Sequence, residues 1–194
     1  MFIPSPSIFL LFALLPLASS IAIPQSILPT GQTVKQDIIN IHNAVFELDA
    51  TVQAYDGSPF PTSLVDGTPV LLGVAKIHEV NRAGFRHALA TLPFTVPDSN
   101  DVISTVTNTV NKSIPSTTKH LKEKLPAFKE GLLIPVVIAS LVLLLSDHDT
   151  FSAATFAKVN PGVGEAKIKE GADGVANIHN VIQDAILFYT ANAV

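Results

Sequence analysis

The sequence predicts an all-α protein, a single bundle of about five helices, and three observations carry that prediction. Apolar residues recur at spacings of three and four along most of the chain after residue 30. No segment shows strand-like alternation bounded by turn signals. Clusters of Pro, Gly, Asp, Asn and Ser fall where the apolar stripes stop.

The chain opens on a different pattern. No Lys, Arg, Asp or Glu precedes Lys35, and the apolar run Ile8–Leu17 is followed by Ala18-Ser19-Ser20. This is the layout of a secretory segment covering residues 1–22, with cleavage after Ser20 or Ala22. The run is shorter than the ~20 residues a membrane span needs. The helical domain is expected over residues 30–194.

In the first helix, Val34, Ile38, Ile41, Val45, Leu48, Val52 and Tyr55 alternate spacings of four and three. Thr33 reads as its N-cap, and Asp56-Gly57-Ser58-Pro59 stops it. Ile39 and Phe46 share a nearly opposite face at 100° per residue. The second helix begins with Thr68 as cap and Pro69 in the first turn, and ends before Pro93. The third opens at Asp98-Ser99-Asn100-Asp101, which combines a cap with first-turn acids, and Pro115 is expected to kink or break it. The fourth runs from about Pro126 to Leu145. Its uncharged block Gly131–Ser146 is 16 residues long, which favours a helix buried on all sides over a membrane span. Ser146–Thr150 reads as a solvated turn, followed by a short helix from Thr150 to Lys158. The last helix runs from about Gly164 to Ala191 on Ile168, Val175, Ile178, Ile182, Ile186 and Tyr189, and Val181 and Phe188 form a second patch seven residues apart.

Composition bounds the chemistry. Of 194 residues 47% are hydrophobic and 14% charged, with net charge −4, so disorder and a basic nucleic-acid footprint are both excluded. With no cysteine there are no disulfides, thiolate metal sites or thiol catalysis. Ser116-Thr117-Thr118-Lys119 fits S-x-x-K without the companion motifs of a serine acyltransferase. His78-Glu79 lacks the second histidine of a zinc-protease helix, and Asp147-His148-Asp149 lacks a partner ligand. Neither an enzyme nor a cofactor or metal is expected. His78, Arg82 and Arg86 stand four residues apart on one helix ridge with Leu71 and Leu89, which reads as a solvated helix face or, with a cation beside an apolar groove, as a site suited to a fatty-acid carboxylate. Asn111-Lys112-Ser113 is the only N-glycosylation sequon.

Several segments together resemble one family. These are the first helix from Asp37-Ile38-Ile39 through Val52 to Tyr55 and Gly57, and the stretch Leu133-Ile134-Pro135-Val136-Val137-Ile138-Ala139-Ser140-Leu141. Leu144, Phe151, Lys158-Val159-Asn160-Pro161 and the closing Asp184-Ala185-Ile186 with Tyr189 complete them. From about Val34 to Tyr189 the chain resembles the fungal hydrophobic surface-binding protein A family, which is related to the lipid-binding domains of cell-wall galactomannoproteins. Pro115 and Asn160 depart from the family pattern. The resemblance implies a secreted, non-catalytic helical bundle of the extracellular space or cell wall. It implies adsorption to hydrophobic surfaces, in some members with recruitment of a secreted polyester-degrading esterase. It also implies relatives that hold fatty acids or other lipids between helices.

The expected function is therefore binding of lipids or hydrophobic surfaces, without stable membrane insertion or a nucleic-acid partner. The alternative is a structural cell-wall or host-interaction protein with no small-molecule ligand. Chains would lie between the first, fourth and fifth helices against Ile38, Val45, Val137, Leu141, Ile178 and Ile182, with Arg82 and Arg86 near the head group. Ile39, Phe46, Val181 and Phe188 are the candidates for surface adsorption.

Overall fold

The computed structural model describes residues 28–193, so the expected secretory segment 1–22 lies outside the described residues. The helices are α1 (Gly31–Ala54), α2 (Thr62–Asp66), α3 (Thr68–Ala90), α4 (Val96–Asn108), α5 (Val110–Glu123), α6 (Leu125–Glu130), α7 (Ile134–Phe156) and α8 (Glu165–Ala191). No strand occurs among the described residues. Consecutive α4 and α5, which run in the same direction along α1, count as one rod, and the short α2 and α6 are connectors. The architecture is then the expected five-rod bundle.

Contacts between rods fix their directions. Leu48 packs at Gly73 and Asp37 pairs with His87, so α1 and α3 are antiparallel. Leu133 packs at Gly67, Asp147 pairs with His78 and Phe151 packs at Gly84, so α7 runs parallel to α3. Lys35–Asp101, His42–Ser113 and His120–Asp49 set α4–α5 parallel to α1. Ile103 at Gly171, Asn177–Asn111 and Lys122–Asp184 set α8 in the same direction. Each rod therefore reverses the one before it, the up-and-down order that short connections impose. At one end, the α2 end, α1 and α8 finish and α3 and α7 begin; the opposite end holds the starts of α1, α4 and α8.

Local chemistry sets the helix boundaries. Thr30, not Thr33, caps α1: its hydroxyl accepts from the Thr33 amide while the Thr33 hydroxyl accepts from the Thr30 amide, a reciprocal capping box. α4 is capped by Thr95, whose hydroxyl accepts from the Asp98 amide, so the expected cap at Asp98 falls one turn late. The third rod breaks at Thr109 (φ −120°, ψ −91°) and then runs through Pro115. A break upstream lets the following turns adjust to the missing amide. Gly57 (φ 85°) lies in the left-handed region, and a Cβ there would stand 2.9 Å from the Ala127 backbone, so only glycine lets this loop cross α6.

Two readings of the fourth rod need correction. α7 starts at Ile134, with α6 a separate turn before it, and continues through the supposed solvated turn Ser146–Thr150 to Phe156. The turn-forming residues have helical or cross-helix partners: the Thr150 hydroxyl donates to the Ser146 carbonyl, and buried Asp147 accepts from His78 at 2.7 Å. α7 is also not buried on all sides. Ile134, Val137, Leu141 and Phe151 enter the core, while Val142 and Leu143 face solvent. Its 23 residues are long and apolar enough to cross a membrane by composition alone, yet one face is committed to the bundle.

Candidate functional site

The rods do not fill the space between them. A cavity of about 130 Å³ lies among α1, α3, α4, α5, α7 and α8, and a second of about 80 Å³ lies among α1, α2, α3, α5, α6 and α7 toward the α2 end. Leu48, Thr117, Leu121, Leu141 and Leu144 wall both, so the two adjoin. An apolar cavity of ~150 Å³ in other proteins stays dry and takes a benzene ring. The larger cavity is of that class, and a long chain would need both. From Val136 at one extreme to Phe156 at the other, α7 advances about 30 Å at 1.5 Å per residue.

All six inward candidates meet here. Ile38, Val45, Ile178 and Ile182 line the larger cavity, Val137 the smaller, and Leu141 both. Sequence reasoning placed the space against only three helices. Ile103, Val106, Val110 and Ile114 on α4–α5 and Ile77 and Asn81 on α3 line it as well. Arg82 and Arg86 do not reach either wall: the Arg82 guanidinium lies 4.6 Å over the Phe85 ring and Arg86 is exposed.

The polar groups of the larger cavity are few. Asn81 donates to the Ile77 carbonyl and Thr118 to those of Ile114 and Pro115. His148 Nε2 donates to the Val175 carbonyl at 3.1 Å, and its Nδ1 lies 3.3 Å from Ser152 Oγ. The Thr155 hydroxyl is buried and has no partner. Asp147, His148 and Asp149 diverge to His78, Val175 and His179 rather than converge on one ion.

All six histidines cross between rods: His78, His87, His120 and His179 donate to Asp147, Asp37, Asp49 and Asp149 at 2.7–2.9 Å, and His42 meets Ser113. Burial holds the His148 imidazole below the ordinary histidine value, helped by His179 and opposed by the Val175 carbonyl and Asp149. Burial lowers His42 as well. Burial raises Asp37, against the opposing pull of His87. Unfolded histidine titrates near pH 6.5, so the stability tied to neutral His42 and His148 is present above that pH and lost as pH falls below it. Asp37 has the opposite sign, because its desolvation penalty is relieved as pH falls through its raised value. The urea midpoint is expected to fall between about pH 7 and pH 5.5, and His148→Gln to flatten that slope. A midpoint constant over this range would refute the assignment.

Of the surface candidates, Phe46 is exposed while Ile39, Val181 and Phe188 are half-buried, Phe188 edge-on to Tyr189 with centroids 5.6 Å apart. The larger exposed apolar face lies at the α2 end. Phe60, Leu64, Val65, Leu71, Leu72 and Leu132 are all exposed there, and Leu64 and Leu71 also wall the smaller cavity. Sequence reasoning missed this face because α2 is too short to show a period. Asn111 is half-buried in α5, where its side-chain oxygen accepts from Asn177 on α8 at 2.7 Å.

Residues 31–157 match the family described as hydrophobic surface binding protein A. The fold is similar to that of Afmp4p in complex with palmitic acid, at 17% identity and TM-score 0.74, covering 82% of this chain and 99% of that one. It is also similar to ligand binding domain 1 of the Penicillium marneffei MP1 protein complexed with arachidonic acids, at 22% identity and TM-score 0.72, covering 82% of this chain and 98% of that one. Ligand binding domain 2 of the same protein, complexed with multiple arachidonic acids, follows at 14% identity and TM-score 0.69, covering 79% and 92%. No curated protein matches the chain.

Proposed function

The chain belongs to the hydrophobic surface binding protein A family, and from that premise we propose that it is a secreted, non-catalytic protein that holds hydrophobic chains between its helices and adsorbs to hydrophobic surfaces by its α2 end. The observation that carries the reading is the pair of adjoining cavities, walled without a single Lys, Arg, Asp or Glu. Removing such walls from contact with water favours an apolar chain at about 25 cal/mol per Å². The similar folds bound to palmitic and arachidonic acids support the same class of ligand. The family description and the similar folds bound to fatty acids support a binding role rather than a catalytic one. Residues 1–22 act as the secretory segment in this reading, and the helical domain follows from residue 30. A secreted esterase is a candidate partner in this reading, as the resemblance implies for some members of the family only.

The exposed leucines that also wall the smaller cavity support the α2 end as the adsorbing face. Val65 and Leu72 are 73% and 65% exposed and line neither cavity. Covering a Val or Leu is worth roughly 1.5–3 kcal/mol. The double substitution Val65→Asp with Leu72→Asp is expected to cut retention on alkyl-agarose at least fivefold, while Phe46→Ala changes it little. Equal retention of both variants would sink the surface assignment. Native mass spectrometry after incubation with n-hexadecane tests the cavities. A protein that takes up no chain would favour a structural wall or host-interaction role instead.

A further inference from the structure

We infer that the α2 end is also the doorway of the cavities, and that a fatty acid passes through it directly between an uncharged lipid surface and the smaller cavity without release into water. The inference rests on the proposed function and goes beyond it by naming the route of the chain and the surface that supplies it.

Three of the residues that wall the cavities are exposed. Leu64 and Leu71 stand at the α2 end, and Phe156 stands at the opposite end. The two ends are closed differently. At the opposite end the connection between α3 and α4 is laced to the connection between α7 and α8. The Phe94 amide donates to the Lys158 carbonyl at 2.7 Å, and the Lys158 ammonium donates to the Thr91 carbonyl at 2.7 Å. The Asn160 side-chain amide donates to the Phe94 carbonyl at 3.2 Å, and its backbone amide to the Ser99 hydroxyl at 2.9 Å. At the α2 end the cover is α2 itself, five residues long. Its Ser63 hydroxyl donates to the Gly131 carbonyl at 2.8 Å. A helix this short has little stability of its own, and a segment tied this lightly opens at less cost than the body of the bundle.

The doorway opens onto the exposed apolar face of Phe60, Val65, Leu72 and Leu132. Every methylene that enters water raises the free energy of a chain in transit. A chain that moves from a lipid surface past Leu64 and Leu71 into the smaller cavity keeps apolar contact throughout. Leu141 and Leu144 then lead it on to the larger one. Charge selects the surface. Asp56, Asp66 and Glu130 stand at this end against Lys124 and Lys129, Lys124 pairs with Asp56 at 3.1 Å, and the whole chain carries a net charge of −4. An anionic lipid surface is held by a surplus of basic residues, which this end lacks. A zwitterionic surface is met by the apolar side chains alone.

The test loads the protein with cis-parinaric acid and mixes it in a stopped-flow with phosphatidylcholine vesicles that carry a nitroxide-labelled phosphatidylcholine, which quenches the acid on arrival. The transfer rate should rise in proportion to vesicle concentration, because the step is a collision. Val65→Asp with Leu72→Asp should slow it about fivefold or more and leave equilibrium binding of the acid unchanged, since neither residue walls a cavity. Leu89→Asp with Leu92→Asp, exposed at the opposite end and also outside the walls, should change neither. Replacing part of the phosphatidylcholine with phosphatidylglycerol should not speed transfer. Circular dichroism reports the folding of both variants independently. The inference is overturned if the rate is independent of vesicle concentration, if the Leu89 and Leu92 substitutions slow transfer as much as those at Val65 and Leu72, or if phosphatidylglycerol accelerates it. Those results leave the proposed function standing. A wild type that binds no parinaric acid would overturn the proposed function and this inference together.

Discussion

Phe128→Ala is expected to destabilise the protein by about 3–5 kcal/mol, the range for truncating a buried aromatic ring. Phe128 is 1% exposed and sits in the short α6, where little local helix stability supports it. Its ring stacks on Tyr55 with centroids 4.9 Å apart and lies edge-on to Tyr189 at 6.3 Å, tying the ends of α1 and α8 to the α6 connector. The Tyr189 hydroxyl donates in turn to the Leu121 carbonyl at the end of the third rod. The truncation would open directly into the smaller cavity, which Phe128 walls, so the surroundings have little means of collapsing around it. Urea denaturation at neutral pH measures the loss. A change below about 1 kcal/mol would mean that the three rings do not form the packed floor of the bundle.

Val45→Phe has its largest effect on binding. Val45 is 4% exposed and walls the larger cavity. The extra ring carbons have space of about 130 Å³ to enter, so the substitution fills a void rather than crowding a packed core. Stability is expected to hold or rise by about 0.5–2 kcal/mol, as cavity-filling changes commonly do. Affinity for n-hexadecane is expected to fall at least tenfold, about 1.4 kcal/mol, because the added ring occupies the chain's place. Thermal melting and probe displacement on the same sample separate the two effects. An unchanged affinity in a fully folded variant would show that the chain does not lie against α1.

Phe128 and Val45 also mark the limits of the sequence reading. Val45 was legible as inward-facing, because its stripe from Val34 to Tyr55 follows helical spacing. That it borders a void rather than a neighbour was not legible, since the side chain is the same in both cases. Phe128 showed nothing, because α6 is too short for a period. The Ser146–Thr150 segment misled for a related reason. Its residues favour turns when unpaired, but α3 and α8 provide partners for Asp147 and Asp149 and keep the helix continuous. Arg82 and Arg86 lie on one helix ridge as expected, yet only its Leu71 end reaches a cavity and neither arginine lines one.

Sequence alone determined the fold class, the five rods and the family, because helical period, punctuation and apolar motifs are local properties carried by the chain itself. Only the tertiary structure decided where the cavities lie, which apolar face stays exposed and which hydroxyl has no partner. Those depend on how imperfectly several apolar stripes from distant parts of the chain fit together, and no single stripe encodes the fit.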